Sequence, residues 1–359
     1  MPEAVDSSPR GIPGLVSLLI GTYNAGEHIA QTLDTVLAQT YSPMEIIVVD
    51  DGSTDNTLDV LRSYGDRIQV IAQPNGGVSA ARNTGIRAAR GEFIALMDHD
   101  DLCFPERIAL EVAFLKQHPD IGLVCTEFSG FDENGPLAEI YSPYYYSQCD
   151  RSKGWPKGHF PDATEFDVGP YLVPPSPKPV MTPVYMGKIY EAMASGNLVH
   201  PPTVVFRAHL MAAAGEFDPQ AKMMCDWEWL IRMAKITPFA YIDRPTLSYR
   251  RSSFQISSER HRKTARLDTI YVAERTVELD PSLWARRKDV LRPHLVNTIL
   301  DAAYANAETR PGLALQLLGK VIVRYHWFDG YAFSVLIKAL TPNALLSMVR
   351  RIRGNPPPR

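Results

Sequence analysis

The sequence predicts an α/β fold: a mostly parallel sheet flanked by helices, followed by a helical C-terminal region. Three observations point there. Short apolar runs alternate with segments of helical spacing over the first ~120 residues. The runs are apolar throughout rather than every second residue, the pattern of strands covered on both faces. Polar and acidic clusters directly follow several of these runs, and in such sheets ligands bind beyond the carboxyl ends of the strands.

The elements are expected in this order. Val16–Ile20 reads as the first buried strand, and Thr22-Tyr23-Asn24-Ala25-Gly26 as the loop after it. Ile29, Leu33, Val36 and Leu37 keep helical spacing. Glu45–Val49 is a second strand that stops at Asp50-Asp51-Gly52-Ser53, with a helix starting near Asp55. Ile68–Ala72 is a third strand, Ser79–Arg90 a helix, and Glu92–Met97 a fourth strand ending at Asp98-His99-Asp100-Asp101. Residues 132–185 are rich in Pro, Tyr and Gly and read as an irregular acceptor-side excursion. A helix is expected over Gly187–Ala194, a strand over Thr203–Arg207 and a helix around Asp226–Ala234. Helical spacing then continues to Arg353, with breaks at Pro281, Pro311 and Pro342. The expected domains are a disordered lead over 1–13, a catalytic domain over 14–257, a helical region over 258–353 and a disordered tail over 354–359.

The bulk numbers narrow the function classes. The 359 residues are 45% hydrophobic and 21% charged, a globular profile, and the net charge of −3 offers no global field for nucleic acid. Cys103, Cys125, Cys149 and Cys225 lack CxxC spacing, which argues against a zinc site and for a reducing compartment. The opening residues carry no apolar signal region, and no stretch reaches the ~20 apolar residues of a spanning helix. A cytoplasmic protein is expected, with any membrane contact peripheral and at the inner face.

Asp98-His99-Asp100 is the sharpest chemical feature. Two carboxylates one residue apart, with Asp101 adjacent, repel one another unless a hard cation such as Mg²⁺ or Mn²⁺ neutralises them. The same residues also suit a strand-end turn capping the next helix. A carboxylate in Asp50-Asp51 could accept a base N–H, and Tyr23 offers a ring beside it; a plain turn is the bland alternative. A dinucleotide fold is disfavoured, because its glycine-rich turn after the first strand is missing and Gly76-Gly77-Val78-Ser79 lacks the spacing. Asp226, in Cys225-Asp226-Trp227-Glu228-Trp229, suits either a helix-dipole partner or a general base. Glu228, two positions along the helix, should point elsewhere.

The stretches VSLLIGTYNAGEHIAQTLDTVLAQTY, EIIVVDDGSTDNT, PNGGVSAARNTGIRAARGEFIALMDHDD and PPTVVFRAHLMAAAGEFDPQAKMMCDWEWLIRMA together resemble family-2 glycosyltransferases of the GT-A fold. The resemblance covers most of residues 15–120 and 187–252. It implies an inverting, metal-dependent hexosyltransferase that moves a sugar from a nucleotide diphosphate donor, UDP by expectation, to an acceptor hydroxyl. It implies that Tyr23, Asp50 and Asp51 hold the nucleotide, that Asp98 meets the ribose or metal shell, and that Asp100 binds the divalent cation (Mn²⁺ or Mg²⁺). It also implies that Asp226 is the catalytic base and that His200 and Arg250 line the donor or acceptor. Cys225 departs from the family's usual Glu before that Asp. By the same analogy the pathway makes cell-surface polysaccharide or glycolipid, and the acceptor is a saccharide or lipid-linked chain.

Two rival functions stay open at this point: a catalytically silent nucleotide-sugar binding or scaffold protein, and a nucleotidyltransferase. The C-terminal helices mix Lys320, Arg324, Arg350, Arg351 and Arg353 with Val321, Ile322, Trp327, Phe328 and Leu345. They suit a patch on anionic lipid, a packed subdomain, or a homo-oligomer contact.

Overall fold

The computed structural model describes residues 11–252 and 262–341. The expectations for residues 1–10, for the tail 354–359, and for Pro342, Leu345, Arg350, Arg351 and Arg353 lie outside them. The chain divides into two compact units, Met1–Gln255 and Ile256–Arg359.

The first unit opens with β1 (Ile12–Thr22), α1 (Ile29–Leu37), β2 (Met44–Asp50), α2 (Thr57–Arg62), β3 (Gln69–Ala72), α3 (Val78–Ala88) and β4 (Gly91–Asp98). β1 thus starts inside the lead that the sequence suggested was disordered. Next come β5 (Leu102–Cys103), α4 (Arg107–Gln117), β6 (Leu123–Asp132), β7 (Gly135–Ala138), α5 (Ser142–Tyr145), β8 (Asp162–Asp167) and β9 (Met181–Gly187). The unit closes with α6 (Tyr190–Ser195), β10 (Val205–Arg207), α7 (Met211–Ala214), α8 (Cys225–Ile236) and β11 (Phe239–Arg250).

One sheet collects the strands in the order β3-β2-β1-β4-β10-β6-β11-β9-β8, with β5 on β11 and β7 on β6. β3, β2, β1 and β4 are parallel. β10 runs antiparallel to both β4 and β6, so β6 and its parallel partner β11 point the same way as β4. The register aligns Thr22 with Asp50 and Gly21 with Asp98. Strands lie ~4.8 Å apart, so Asp50 and Asp98, which flank β1, end about 10 Å from each other on one sheet edge.

Burial explains the apolar runs. Val16, Leu18 and Ile20 of β1 share a core with Ile29, Leu33 and Val36 of α1, Leu61 of α2, and Ile108 and Val112 of α4. Leu19 and Val49, on the opposite face, are equally buried and lie against α3 at Gly85. A strand covered on both faces has no solvent side to alternate with.

The segment 132–185 departs from its sequence expectation. It holds β7, α5, β8 and the start of β9, and the β8–β9 hairpin extends the sheet beyond β11. Its Pro and Tyr content hid strands whose outer edge is exposed. Gly187 closes β9 rather than opening a helix. β11, twelve residues long, had no sequence signal of its own because Asp243, Arg244 and Pro245 interrupt the apolar run where the register against β6 shifts.

The second unit consists of α9 (Arg262–Leu279), α10 (Pro281–Asn306), α11 (Pro311–Tyr325) and α12 (Gly330–Leu340). Pro281 and Pro311 occupy first helical positions, where proline's missing N–H is harmless. The Asp280 side chain caps Leu283 N at 3.0 Å, and Asp329 caps Ala332 N at 2.9 Å. Leu295, Val296, Ile299, Leu318 and Val321 are buried. Lys320 pairs with Glu274 at 2.7 Å and Arg324 with Glu278 at 2.7 Å. These two cations are thus matched inside the unit. Among the described residues no helix is long and apolar enough to cross a membrane.

Candidate active site

The carboxyl edge of β1, β2, β4 and β11 and the amino end of β10 form one polar zone. The loops after β1 and β2 are stitched together first: Asn24 N donates to Ser53 Oγ (2.9 Å), and Thr54 N donates to Asn24 Oδ1 (2.8 Å). Tyr23, the residue before Asn24 in this stitched loop, is 45% exposed. Gly52 is required in this turn. Its φ is +76°, and an added Cβ would lie 2.8 Å from Asn75 N.

Asp50 and Asp51 are both buried but differ in use. Asp51 accepts from Gln73 Nε2 (2.7 Å), Gly76 N (3.0 Å) and Gly77 N (2.7 Å). Its carboxylate therefore organises the loop between β3 and α3, a role the sequence reading did not foresee. Asp50 receives only Ser53 N on Oδ2 (3.2 Å). Its Oδ1 is buried without a partner, as is Thr22 Oγ1 on the neighbouring strand.

Asp98 and Asp226 come together through a residue that sequence reasoning missed. Arg82 on α3 is 7% exposed, and its guanidinium bonds both Asp98 Oδ1 (3.0 Å) and Asp226 Oδ1. Phe217 lies 5.5 Å from that guanidinium. One buried cation thus holds a carboxylate from the end of β4 beside one from the first turn of α8. The Asp226 side chain keeps 25% of its surface exposed and the Asp98 side chain 41%, so both face the crevice. Arg82 sits in the quoted Ser79-Ala80-Ala81-Arg82-Asn83 run, where an Arg on the helix face that meets Asp98 was the available signal. Cys225, in place of a carboxylate, is buried with Sγ 3.8 Å from Asp226 Oδ1. Glu228 pairs with Arg232 at 2.6 Å, away from the crevice.

The turn after β4 is fixed from below. Thr32 Oγ1 donates to the carbonyls of His99 (2.9 Å) and Asp101 (2.8 Å). Arg250, at the end of β11, donates its backbone N–H to Asp101 Oδ1 (2.9 Å), Nε–H to Asp100 O (2.8 Å) and an Nη2 hydrogen to Gln31 Oε1 (2.7 Å). Its guanidinium also lies over Phe131 at 4.7 Å, so Arg250 ties the turn to the sheet. Asp101 is fully buried, and burial, then Asp100, then Asp98, holds its carboxyl well above the usual carboxylate range.

His200, expected to line the donor or acceptor, lies inside the protein at 5% exposure. Its ring stacks on Phe128 with centroids 4.0 Å apart. Burial depresses its basicity to about 3, with Asp98 pulling weakly the other way, so the imidazole is neutral. The Tyr146 hydroxyl, brought in by the 132–185 segment, meets His200 Nδ1 at 3.2 Å.

The turn offers oxygen donors of the kind a divalent cation takes, from Asp98, 41% exposed but shared with Arg82, and from Asp100, 9% exposed. Among the described residues no group of three or more His, Cys, Asp or Glu is placed to hold a metal ion. An open site of one or two carboxylates completed by substrate phosphates is the common arrangement for Mg²⁺ and Mn²⁺.

Comparison with known proteins adds a likeness over part of the chain. Residues 17–164 match glycosyl transferase family 2. The chain is 40% identical over 113 residues to an uncharacterized glycosyltransferase of Rickettsia typhi, covering 31% of this chain and 36% of that one. It is 35% identical over 152 residues to the chondroitin synthase of Pasteurella multocida, covering 41% and 15% respectively. The matched stretch thus spans well under two thirds of either relative. Among solved structures, TarS 1–349 of S. aureus with UDP-GlcNAc aligns over 95% of this chain and 92% of that one (TM-score 0.51, 16% identity). The mannosyltransferase PcManGT of Pyrobaculum calidifontis with GDP-Man and Mn²⁺ aligns over 97% and 85% (TM-score 0.50, 17% identity). At such identities the likeness is one of fold, and the fold is GT-A. Residues 17–164 of this chain are thus similar to glycosyl transferase family 2.

Proposed function

We propose that the protein is an inverting glycosyltransferase that moves a sugar from a nucleoside diphosphate sugar, of the UDP type, to an acceptor hydroxyl. The observation that carries this reading is the Arg82 bridge, because it brings the strand-end carboxylate Asp98 and the helix-start carboxylate Asp226 into one crevice. The UDP-GlcNAc and GDP-Man bound by the two structural neighbours support a nucleotide-sugar donor. The chondroitin synthase relative supports a saccharide acceptor within polysaccharide synthesis.

Each residue has a part in the step. Tyr23 and the Asp50-Asp51 turn take the base. Asp98 and Asp100 would hold a divalent cation, which when bound would supply positive charge for the leaving diphosphate. Asp226 accepts the proton of the acceptor hydroxyl as its oxygen attacks the anomeric carbon. The bond from that carbon to the diphosphate breaks in the same displacement, and the configuration inverts without a covalent intermediate on the protein.

The test is Asp226→Asn assayed with UDP-sugars and Mn²⁺. Nucleoside diphosphate release should fall about 10²–10⁴-fold, the usual worth of a general base, while nucleotide affinity holds. Undiminished turnover in that variant would refute the assignment. Retention of configuration, read from the anomeric coupling of the product, would refute inversion, and release of pyrophosphate would point to the nucleotidyltransferase reading.

A further inference from the structure

Among the described residues, two buried polar atoms face each other without hydrogen bonds: His200 Nε2 and Asp101 Oδ2. They lie 3.9 Å apart, just beyond bonding reach. A buried polar group without a partner is costly, so such a facing pair needs a reason. On the other side of the ring, His200 Nδ1 meets the Tyr146 hydroxyl at 3.2 Å. On the other side of the carboxylate, Asp101 Oδ1 accepts from Arg250 N at 2.9 Å. The line Tyr146–His200–Asp101–Arg250 therefore runs from the 132–185 segment to the end of β11, and it enters the Asp98–Asp101 turn at Asp101.

Both ends of the line are rigidly held. The ring of His200 is fixed by Phe128 (4.0 Å), Tyr145 (5.2 Å) and Tyr249 (5.4 Å), which belong to β6, α5 and β11. The segment carrying Tyr146 is anchored by buried Glu127, which accepts from Ser142 N (3.1 Å), Ser142 Oγ (2.6 Å) and Tyr241 Oη (2.7 Å). A neutral imidazole donates at one nitrogen and accepts at the other. It can therefore take the Tyr146 proton at Nδ1 while offering its Nε2 proton to Asp101, or serve the two in the reverse sense with a protonated Asp101. Only a ring with two opposed nitrogens can link both.

We propose that His200 is a positioning residue that couples the Tyr146 segment to the Asp98–Asp101 turn, so that the acceptor-side segment and the donor-side carboxylates are set by one buried link. This rests on the transferase reading for the words donor and acceptor; the link itself is a property of the free protein. His200 then contacts no substrate. It acts on Asp98 and Asp100 through Asp101, and closing the 3.9 Å gap is the movement that tightens the turn.

The test uses the full chain without ligand and Tyr146→Phe, which removes one hydroxyl and keeps the ring. Amide hydrogen exchange across residues 98–103 should speed up about fivefold to tenfold, the effect of losing one buried hydrogen bond. In a His200→Leu background, or in Asp101→Asn if the first variant folds poorly, adding Tyr146→Phe should change exchange there less than about twofold, because the link is already cut. Unchanged exchange at 98–103 in Tyr146→Phe overturns the proposal, and so does an equal increase in both backgrounds. Calorimetry with UDP and with GDP, each with Mn²⁺, is a separate readout. Wild-type protein that binds neither while the exchange response persists would sink the transferase reading and leave the link standing.

Discussion

At the scale of single residues, Arg82 decides most. Removing it leaves two carboxylates facing each other in a half-closed crevice, one of them 25% exposed. Breaking a buried ion pair costs about 3–5 kcal/mol, but Asp98 is 41% exposed and solvent screens that half of the bridge. Arg82→Leu should therefore destabilise by about 2–4 kcal/mol in chemical denaturation, with Arg82→Lys losing less because it keeps a positive charge between the carboxylates, yet still losing some because an ammonium lacks the planar fork. Equal stability of all three proteins would show that the bridge carries no load. His200 gives a pH prediction. Its basicity falls from the ordinary 6.5 to about 3 on folding, so the unfolded chain binds the extra proton between those values. Stability is then complete above pH 6.5 and is lost as pH falls toward 3, by at most about 1.4 kcal/mol per pH unit. His159 and His294 are shifted the same way by burial, so the comparison must be with His200→Gln. The wild type should lose more stability than that variant between pH 7 and 5; parallel curves would rule the effect out.

At the scale of elements, the segment 132–185 is held less by its own helices than by Glu127 at the middle of β6. This fully buried carboxylate takes hydrogen bonds from Phe128 N, Ser142, Tyr241 and, at 3.4 Å, Arg151. Glu127→Gln keeps the shape but replaces an acceptor-only group by one that must also donate. A loss of about 1–3 kcal/mol is expected, together with faster proteolysis between residues 141 and 155. Cleavage elsewhere, with that stretch still protected, would show that the anchor is not Glu127. Elements built from continuous apolar runs were readable from sequence within one residue of their ends in β2, β3 and β4 and within four in β1. Those that rely on a neighbour were not: β8 has only one fully buried residue in six, and β11 bends around Pro245. Their strand character comes from pairing with β9 and β6 rather than from local preference.

At the scale of the whole molecule, the chain divides into two compact units, and among the described residues every strand belongs to the first. A chain ending at Gln255 should therefore unfold in one cooperative transition with its β-sheet signal intact. A molten profile, with far-ultraviolet dichroism retained but no sharp melt, would show that the sheet unit depends on the helical one. The cations Lys320 and Arg324 illustrate the same scale. In sequence they resemble a basic surface, and only the fold reveals Glu274 and Glu278, 46 residues away in each case, across from them.

By itself the sequence determined the α/β class, the order of the first seven elements and the edge on which the acidic clusters gather. Buried parallel strands and the turns that end them are written in local residue patterns. Tertiary structure alone decided which acids meet: Asp98 with Asp226 across 128 positions through Arg82, and Asp101 with His200 across 99. It also decided which acids are already engaged, as Asp51 is with Gly76 and Gly77. The reason is physical. Burial and partner identity are set by contacts between segments far apart in the chain, and no periodicity within a segment encodes the side chain that will lie opposite.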